Sequence, residues 1–341
     1  MVAAEHLSPR SGERRAHYHQ WRRVGLSALV LAAIGLTLSF ALRADAPSAH
    51  RPPADHDLRH LSQSTTSTTT PAPPYQVQEE TVTFVDSTRD TPARGDVPGH
   101  HGRVLVTTVL RPVTLAGPFP LVVFAHGWNS DPQVYRPLLT AWAQAGYLVA
   151  APTFPDSADT LPGTPVSNYG AQAQDMTFLI SSLLSGAAGP VDKTRIAVAG
   201  HSDGGADVAL MALNPHYTDA RVRAYLSLSG QIPMDVSSGP WGVPLPGALL
   251  VAVGTADQYG LLDRAEQIFQ TAQMPKVLLT VTAGDHLTTF IGDTAAQAAM
   301  RAETVRFLNT VFSVPTITTA ALQAALTPTG DPAIVLQTNT G

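Results

Sequence analysis

The chain has 341 residues, with 21 Lys and Arg against 26 Asp and Glu, a net charge of −5 with His neutral, and 44% hydrophobic against 14% charged residues. No broad basic surface follows, so nucleic acid is not an expected partner. There is no cysteine, which excludes a thiol nucleophile, thiolate metal sites and disulfides; the length and apolar content allow one large α/β domain with additions, or two smaller ones.

Residues 1–23 form a basic N-terminus, with Arg10, Arg14, Arg15, Arg22 and Arg23 against Glu5 and Glu13. Residues 24–42, VGLSALVLAAIGLTLSFAL, carry no charge. A helix of about 17–25 apolar residues spans a bilayer, and the arginines before it keep that end cytoplasmic and send the rest of the chain across. Two outcomes remain open. Ala44-Asp45-Ala46 reads as an A-x-A cleavage site, which makes 24–42 a signal peptide. Alternatively the segment stays as a single-pass signal anchor, favoured by its length over a usual h-region of roughly 7–15 residues. Arg22-Arg23 also reads as a twin-arginine signal, with Gly25 interrupting the apolar part. All of these place the remainder outside the cytoplasm, secreted or membrane-anchored.

Residues 43–75 are rich in Ser, Thr and Pro and are expected to be a disordered linker. His56 and His60 stand at i and i+4 there, but no third ligand accompanies them, and no metal or other cofactor is expected.

Residues 76–313 read as the catalytic domain. Strands are expected at 80–86, 103–111, 120–125, 147–152, 195–200, 223–229, 248–253 and 277–283. From 120 onward they mostly alternate with helix-like segments, the pattern of βα units and a largely parallel sheet with helices on both faces. The first two have no helix between them and are expected to pair as an antiparallel hairpin at one edge. Helices are expected at 134–145, with Val134, Leu138 and Trp142 inward, Pro137 in the first turn and Gly146 at the C-terminal cap. Others are expected at 168–185, with Met176, Leu179, Ile180, Leu183 and Leu184 on one stripe, at 261–272, and at 294–311 with Asp293 as N-cap. The tail 314–341 carries a short helical patch near 318–326 and is otherwise unplaced.

The strand at 195–200 runs into Gly200-His-Ser202-Asp-Gly204-Gly205, and a helix-compatible segment follows. A Gly-x-Ser-x-Gly on a strand-to-helix turn pushes the serine out above the sheet edge, within reach of a substrate carbonyl. A serine hydroxyl needs a base, and the base an orienting group. On such a turn the partners follow in the chain order serine, acid, histidine. From residue 126 onward the histidines are His126, His201, His216 and His286. His286 lies directly after the last expected strand, on the edge where Ser202 emerges, and is the expected base. His201, adjacent to Ser202, is expected to point away from its hydroxyl. Asp257, after the strand at 248–253, is the expected acid, with Asp235 as its backup; Asp285 adjoins the base and is disfavoured. The tetrahedral intermediate needs backbone donors, expected from the N–H groups of Asp203 and of Trp128 in His126-Gly127-Trp128. The Asp203 side chain is expected to turn toward solvent or an arginine.

These stretches, with Pro120-Leu-Val-Val-Phe-Ala-His126-Gly127-Trp128 and Trp142-Ala-Gln-Ala-Gly146-Tyr-Leu-Val-Ala-Ala-Pro152, make residues 76–313 resemble the α/β-hydrolase superfamily. The resemblance is to the branch of chlorophyllases, dienelactone hydrolases, platelet-activating-factor acetylhydrolases and bacterial polyester hydrolases. It implies an α/β-hydrolase fold of about eight mostly parallel strands, and a serine esterase with Ser202, Asp257 and His286 as the triad. Dienelactone hydrolases use a cysteine nucleophile, and cutinase-type polyesterases usually have Met where Asp203 stands and often carry disulfides; this chain departs from both. Few residues separate the strand at 223–229 from that at 248–253, leaving no room for a large cap domain. The loop 155–168 is expected at the rim of an open cleft for a small-molecule or polymeric ester. A peptidase or amidase on the same fold, and a non-catalytic envelope binding protein, are the alternatives.

Overall fold

The computed structural model describes residues 75–113, 116–233, 236, 239–326 and 334–337. The basic N-terminus, the apolar span 24–42, His56, His60, the linker except Tyr75, and Asp235 lie outside the described residues. Among the described residues, no helix is long and apolar enough to cross a membrane.

The strands are β1 (Val77–Thr91), β2 (His100–Pro112), β3 (Phe119–Ala125), β4 (Leu148–Thr153), β5 (Val191–His201), β6 (Val222–Leu228), β7 (Ala248–Gly254), β8 (Lys276–Val281) and β9 (Ile334–Gln337). They form one sheet in the order β1-β2-β4-β3-β5-β6-β7-β8-β9. The strands from β4 to β8 in that order pair in parallel. The pairs at the two ends, β1 with β2, β2 with β4 and β8 with β9, are antiparallel.

The parallel strands are short and apolar because both of their faces are covered. Successive residues alternate sides: Leu121 and Val123 of β3 join one core cluster, Val122 and Phe124 the other. The first cluster takes in the inward faces of α2 (Tyr169–Leu184), α3 (Asp203–Leu213) and α4 (Leu261–Thr271). The second takes in those of α1 (Arg136–Gln144), α5 (Ala295–Ser313) and α6 (Thr319–Ala325). Helix α3 is buried from Gly204 to Leu213, so the segment after Ser202 is locked between neighbours.

Several expectations change in detail. The hairpin β1–β2 extends past its apolar stretches, through polar pairs such as Asp90 opposite His101, because backbone pairing continues where burial has ended. Val134 does not join the buried face and is 38% exposed. It lies in a 3-10 turn, Pro132–Tyr135, ahead of α1, whose buried residues are Pro132 and Tyr135. Asp293 is not the N-cap of α5. Thr294 is, in a capping box with Gln297, while Asp293 pairs with Arg301. The Thr-x-x-Gln spacing satisfies two backbone donors at once, which a lone aspartate one residue earlier does not. Leu184 is only half-buried, at the end of α2. The described residues after 313 join the domain: Leu322 and Leu326 enter the second core cluster, and β9 adds a strand to β8.

Candidate active site

Strand β5 delivers Ser202 through a turn in which the serine has φ 59° and ψ −119°. Such a left-handed setting costs a non-glycine residue about 1–3 kcal/mol and persists only where the surroundings enforce it. Here they do: a Cβ on Gly200 would stand 2.1 Å from the Gly204 carbonyl oxygen, and one on Gly204 would stand 2.1 Å from that of Ala125. Ser202 N–H donates to the Leu228 carbonyl at 2.9 Å, which ties the turn to β6.

Two further loops converge on Ser202 from the same sheet edge. The loop after β7 carries Asp257 and the loop after β8 carries His286. They touch backbone to backbone: Thr255 N–H donates to Val281 O and Ala256 N–H to Gly284 O, both at 2.9 Å. A Cβ on Gly254 would lie 2.1 Å from Gly284 O, so that contact needs glycine. The Asp285 carboxylate accepts from the N–H groups of Leu287 and Thr288; it shapes the histidine loop and takes no part in orienting the imidazole.

The result is one hydrogen-bonded chain. His286 Nε2 lies 2.9 Å from Ser202 Oγ, and His286 Nδ1 lies 2.8 Å from Asp257 Oδ2. The second Asp257 oxygen accepts the Tyr259 N–H at 3.0 Å. Both side chains are buried, while Ser202 is half-exposed. Trp128 adjoins the serine through Gly127, where a Cβ would stand 3.2 Å from Ser202 Cβ. Asp203 opens α3. The structure therefore gathers Ser202, Asp257, His286, Trp128 and Asp203 at one place.

The other histidines lie elsewhere or do other work. His126 is buried; its Nδ1 hydrogen-bonds Gly127 O at 2.8 Å and its Nε2 accepts the Phe154 N–H at 3.0 Å. Burial pushes its pKa down to about 4. It fastens the end of β3 to the end of β4. His216 lies away from the site, beside Tyr217. His201 turns away from the serine hydroxyl and bonds Tyr135 and the His286 carbonyl. The sequence reading assigned no role to His201 or Tyr135.

The Asp203 side chain is half-buried and turns to Ser167 and Tyr169. It accepts from Ser167 Oγ, and from Tyr169 OH at 3.2 Å. Both donors sit where loop 155–168 runs into α2, beside the site, a placement the elbow sequence does not reveal. The same loop is anchored underneath by Asp156, which shares the buried Arg103 guanidinium with Asp175.

Above Ser202 lies an open cleft of about 740 Å³. Trp128, 47% exposed, and Tyr259, 68% exposed, both border it. Trp128 Nε1 donates to Pro165 O at 3.3 Å, so loop 155–168 forms part of the rim. No helix lies among the described residues between β6 and β7. No group of three or more metal-ligating side chains is gathered among the described residues.

A solved ferulic acid esterase from Streptomyces cinnamoneus superposes with a TM-score of 0.56, over 79% of this chain and 98% of its own, at 21% identity. The chain has the α/β-hydrolase fold. The chlorophyllase family model matches residues 98–240 of the chain, a stretch that holds Trp128, Ser202 and Asp203 and stops before Asp257 and His286. No curated protein matches the sequence. Chains of known structure match in large number, 1035 in all, so the fold alone does not select a substrate.

Proposed function

We propose that the protein is an exported serine esterase that works through an acyl-enzyme. The observation that carries this reading is the unbroken chain from Ser202 Oγ through His286 to Asp257, at 2.9 and 2.8 Å. His286 Nε2 takes the hydroxyl proton as Ser202 Oγ attacks the ester carbonyl. Asp257 holds the other ring proton on Nδ1 and stabilises the imidazolium. The backbone N–H groups of Trp128 and Asp203 receive the oxyanion. The proton then passes from His286 to the departing alcohol, leaving an acyl-Ser202 ester. A water, deprotonated by His286, attacks that ester; the acid leaves and the proton returns to Ser202.

An open cleft with no helix among the described residues between β6 and β7 suits exposed ester bonds, those of bulky or polymeric substrates included. Export is supported by the uncharged span 24–42 behind an arginine-rich N-terminus.

Labelling with a fluorophosphonate probe tests the nucleophile. Wild type should label, and Ser202→Ala and His286→Ala should not. Labelling that persists in Ser202→Ala sinks the assignment, and folded wild type that never labels favours a binding protein. p-Nitrophenyl esters of rising acyl length should turn over, and a matched anilide should not; faster anilide cleavage would make the protein an amidase. Cell fractionation separates anchor from secreted form: a mature chain starting near Pro47 in the medium means cleavage.

A further inference from the structure

We propose that Tyr135 and His201 are positioning residues, which hold the base loop and the oxyanion loop together through one directed chain of hydrogen bonds from Gly127 to His286. The proposal rests on the serine-hydrolase reading of this site.

The direction of the chain follows from its members. Tyr135 is buried and packs on Phe124 with the rings tilted by 57° and their centroids 4.8 Å apart. Its oxygen accepts the Gly127 N–H at 3.2 Å, and the Ser130 side chain also hydrogen-bonds it. The phenol proton is then left for His201 Nδ1, 2.9 Å away. An Nδ1 that accepts leaves the imidazole proton on Nε2. Nε2 stands 2.9 Å from the His286 carbonyl oxygen and donates to it. Every bond runs one way, from the loop that carries Trp128 to the backbone of the base.

Burial and the nearby His286 imidazole push the His201 pKa down to about 3. It is therefore neutral at neutral pH, and its hydrogen bonds to Tyr135 and the His286 carbonyl set the tautomer. The His286 backbone is also held from its other side, where its N–H donates to Gln258 Oε1 at 3.2 Å. The His201 ring lies against the rings of His286 and Phe290, at 4.7 and 5.1 Å between centroids. The residue before the serine in the elbow is thus coupled to the base by its far ring nitrogen, and never touches the nucleophile's hydroxyl.

Three variants of the full-length protein test this: Tyr135→Phe, His201→Leu and His201→Gln. Active sites are counted by fluorophosphonate titration, and kcat and KM for p-nitrophenyl butyrate are expressed per titrated site. Because small misplacement of reacting groups costs up to about 100-fold, Tyr135→Phe and His201→Leu should lower kcat per site by roughly 10- to 100-fold. KM should move by less than about threefold, since ground-state binding is untouched. His201→Gln keeps an N–H donor toward His286 and an acceptor toward Tyr135, and should recover most of the kcat that His201→Leu loses. The proposal is overturned if both disruptive variants keep kcat per site within about twofold of wild type, even where fewer sites titrate, because the pair would then serve folding alone. It is equally overturned if His201→Gln is no better than His201→Leu. Wild type that takes no label removes the serine-hydrolase reading, and this proposal with it.

Discussion

Replacing Asp257 by Asn changes one atom and should nearly silence the enzyme. In the structure Asp257 Oδ2 faces His286 Nδ1 at 2.8 Å, while its other oxygen accepts the Tyr259 N–H at 3.0 Å. In Asp257→Asn the Tyr259 N–H still requires an acceptor, so the carboxamide oxygen stays with it and the NH2 turns to His286. Two donors cannot share that contact. The imidazole proton therefore moves to Nε2, which then donates to Ser202 Oγ and can no longer take its proton. A wrong tautomer of this kind lowers kcat by about 10⁴-fold in a triad enzyme, or about 5 kcal/mol of barrier at roughly 1.4 kcal/mol per decade. The assay is steady-state hydrolysis of p-nitrophenyl butyrate, with circular dichroism to verify folding. KM should hold within about threefold, because the carboxylate does not touch substrate. A loss in kcat smaller than about tenfold would refute the reasoning and leave Asp257 as a turn residue.

Two further outcomes concern stability. Arg103 is buried between Asp175 and Asp156, with its Nε 2.8 Å from Asp175 Oδ1. Arg103→Leu takes the guanidinium away from two buried carboxylates, although Asp175 keeps Arg89 and Asp156 keeps Asn168, and should cost up to about 3–5 kcal/mol in urea unfolding, with part of the loss recovered when both aspartates are also made Asn; a loss under about 1 kcal/mol would contradict that ion pairing. His126 is buried and neutral, its pKa lowered from 6.5 to about 4. The unfolded chain binds its proton below about pH 6.5 and the folded chain does not. The stability that His126 contributes is therefore full above that pH and lost as pH falls toward 4. The advantage of wild type over His126→Gln should shrink by about 1.4 kcal/mol per pH unit between pH 6 and 5. A constant difference from pH 7 to 5 would mean that the imidazole titrates normally in the fold.

Much of the fold was legible because parallel strands covered on both faces must be continuously apolar. Runs such as Leu121–Phe124 and Leu249–Val253 can hardly be anything else. The elbow was legible for a related reason, since glycines at 200, 204 and 205 are demanded by contacts that admit no side chain. Other features carry weaker local signals. Val134 and Tyr135 are neighbours in sequence, and only the 3-10 turn decides which is buried. Strand β9 pairs with a sheet edge whose position no nearby residue encodes. The Asp203 side chain is set by Ser167 and Tyr169, over thirty residues earlier.

The sequence by itself determined the order of the elements, the strained turn at Ser202, and the chain order serine, aspartate, histidine. Each of these depends on local backbone chemistry and on patterns a few residues long. The tertiary structure alone decided that the loops after β7 and β8 touch at Gly254 and Gly284, which brings Asp257 and His286 into line with Ser202. It alone turned His201 from the serine toward Tyr135 and the backbone of His286. The reason is distance along the chain: these partners are 66 to 85 residues apart, and what joins them is the strand order of the sheet, to which no short stretch of sequence has access.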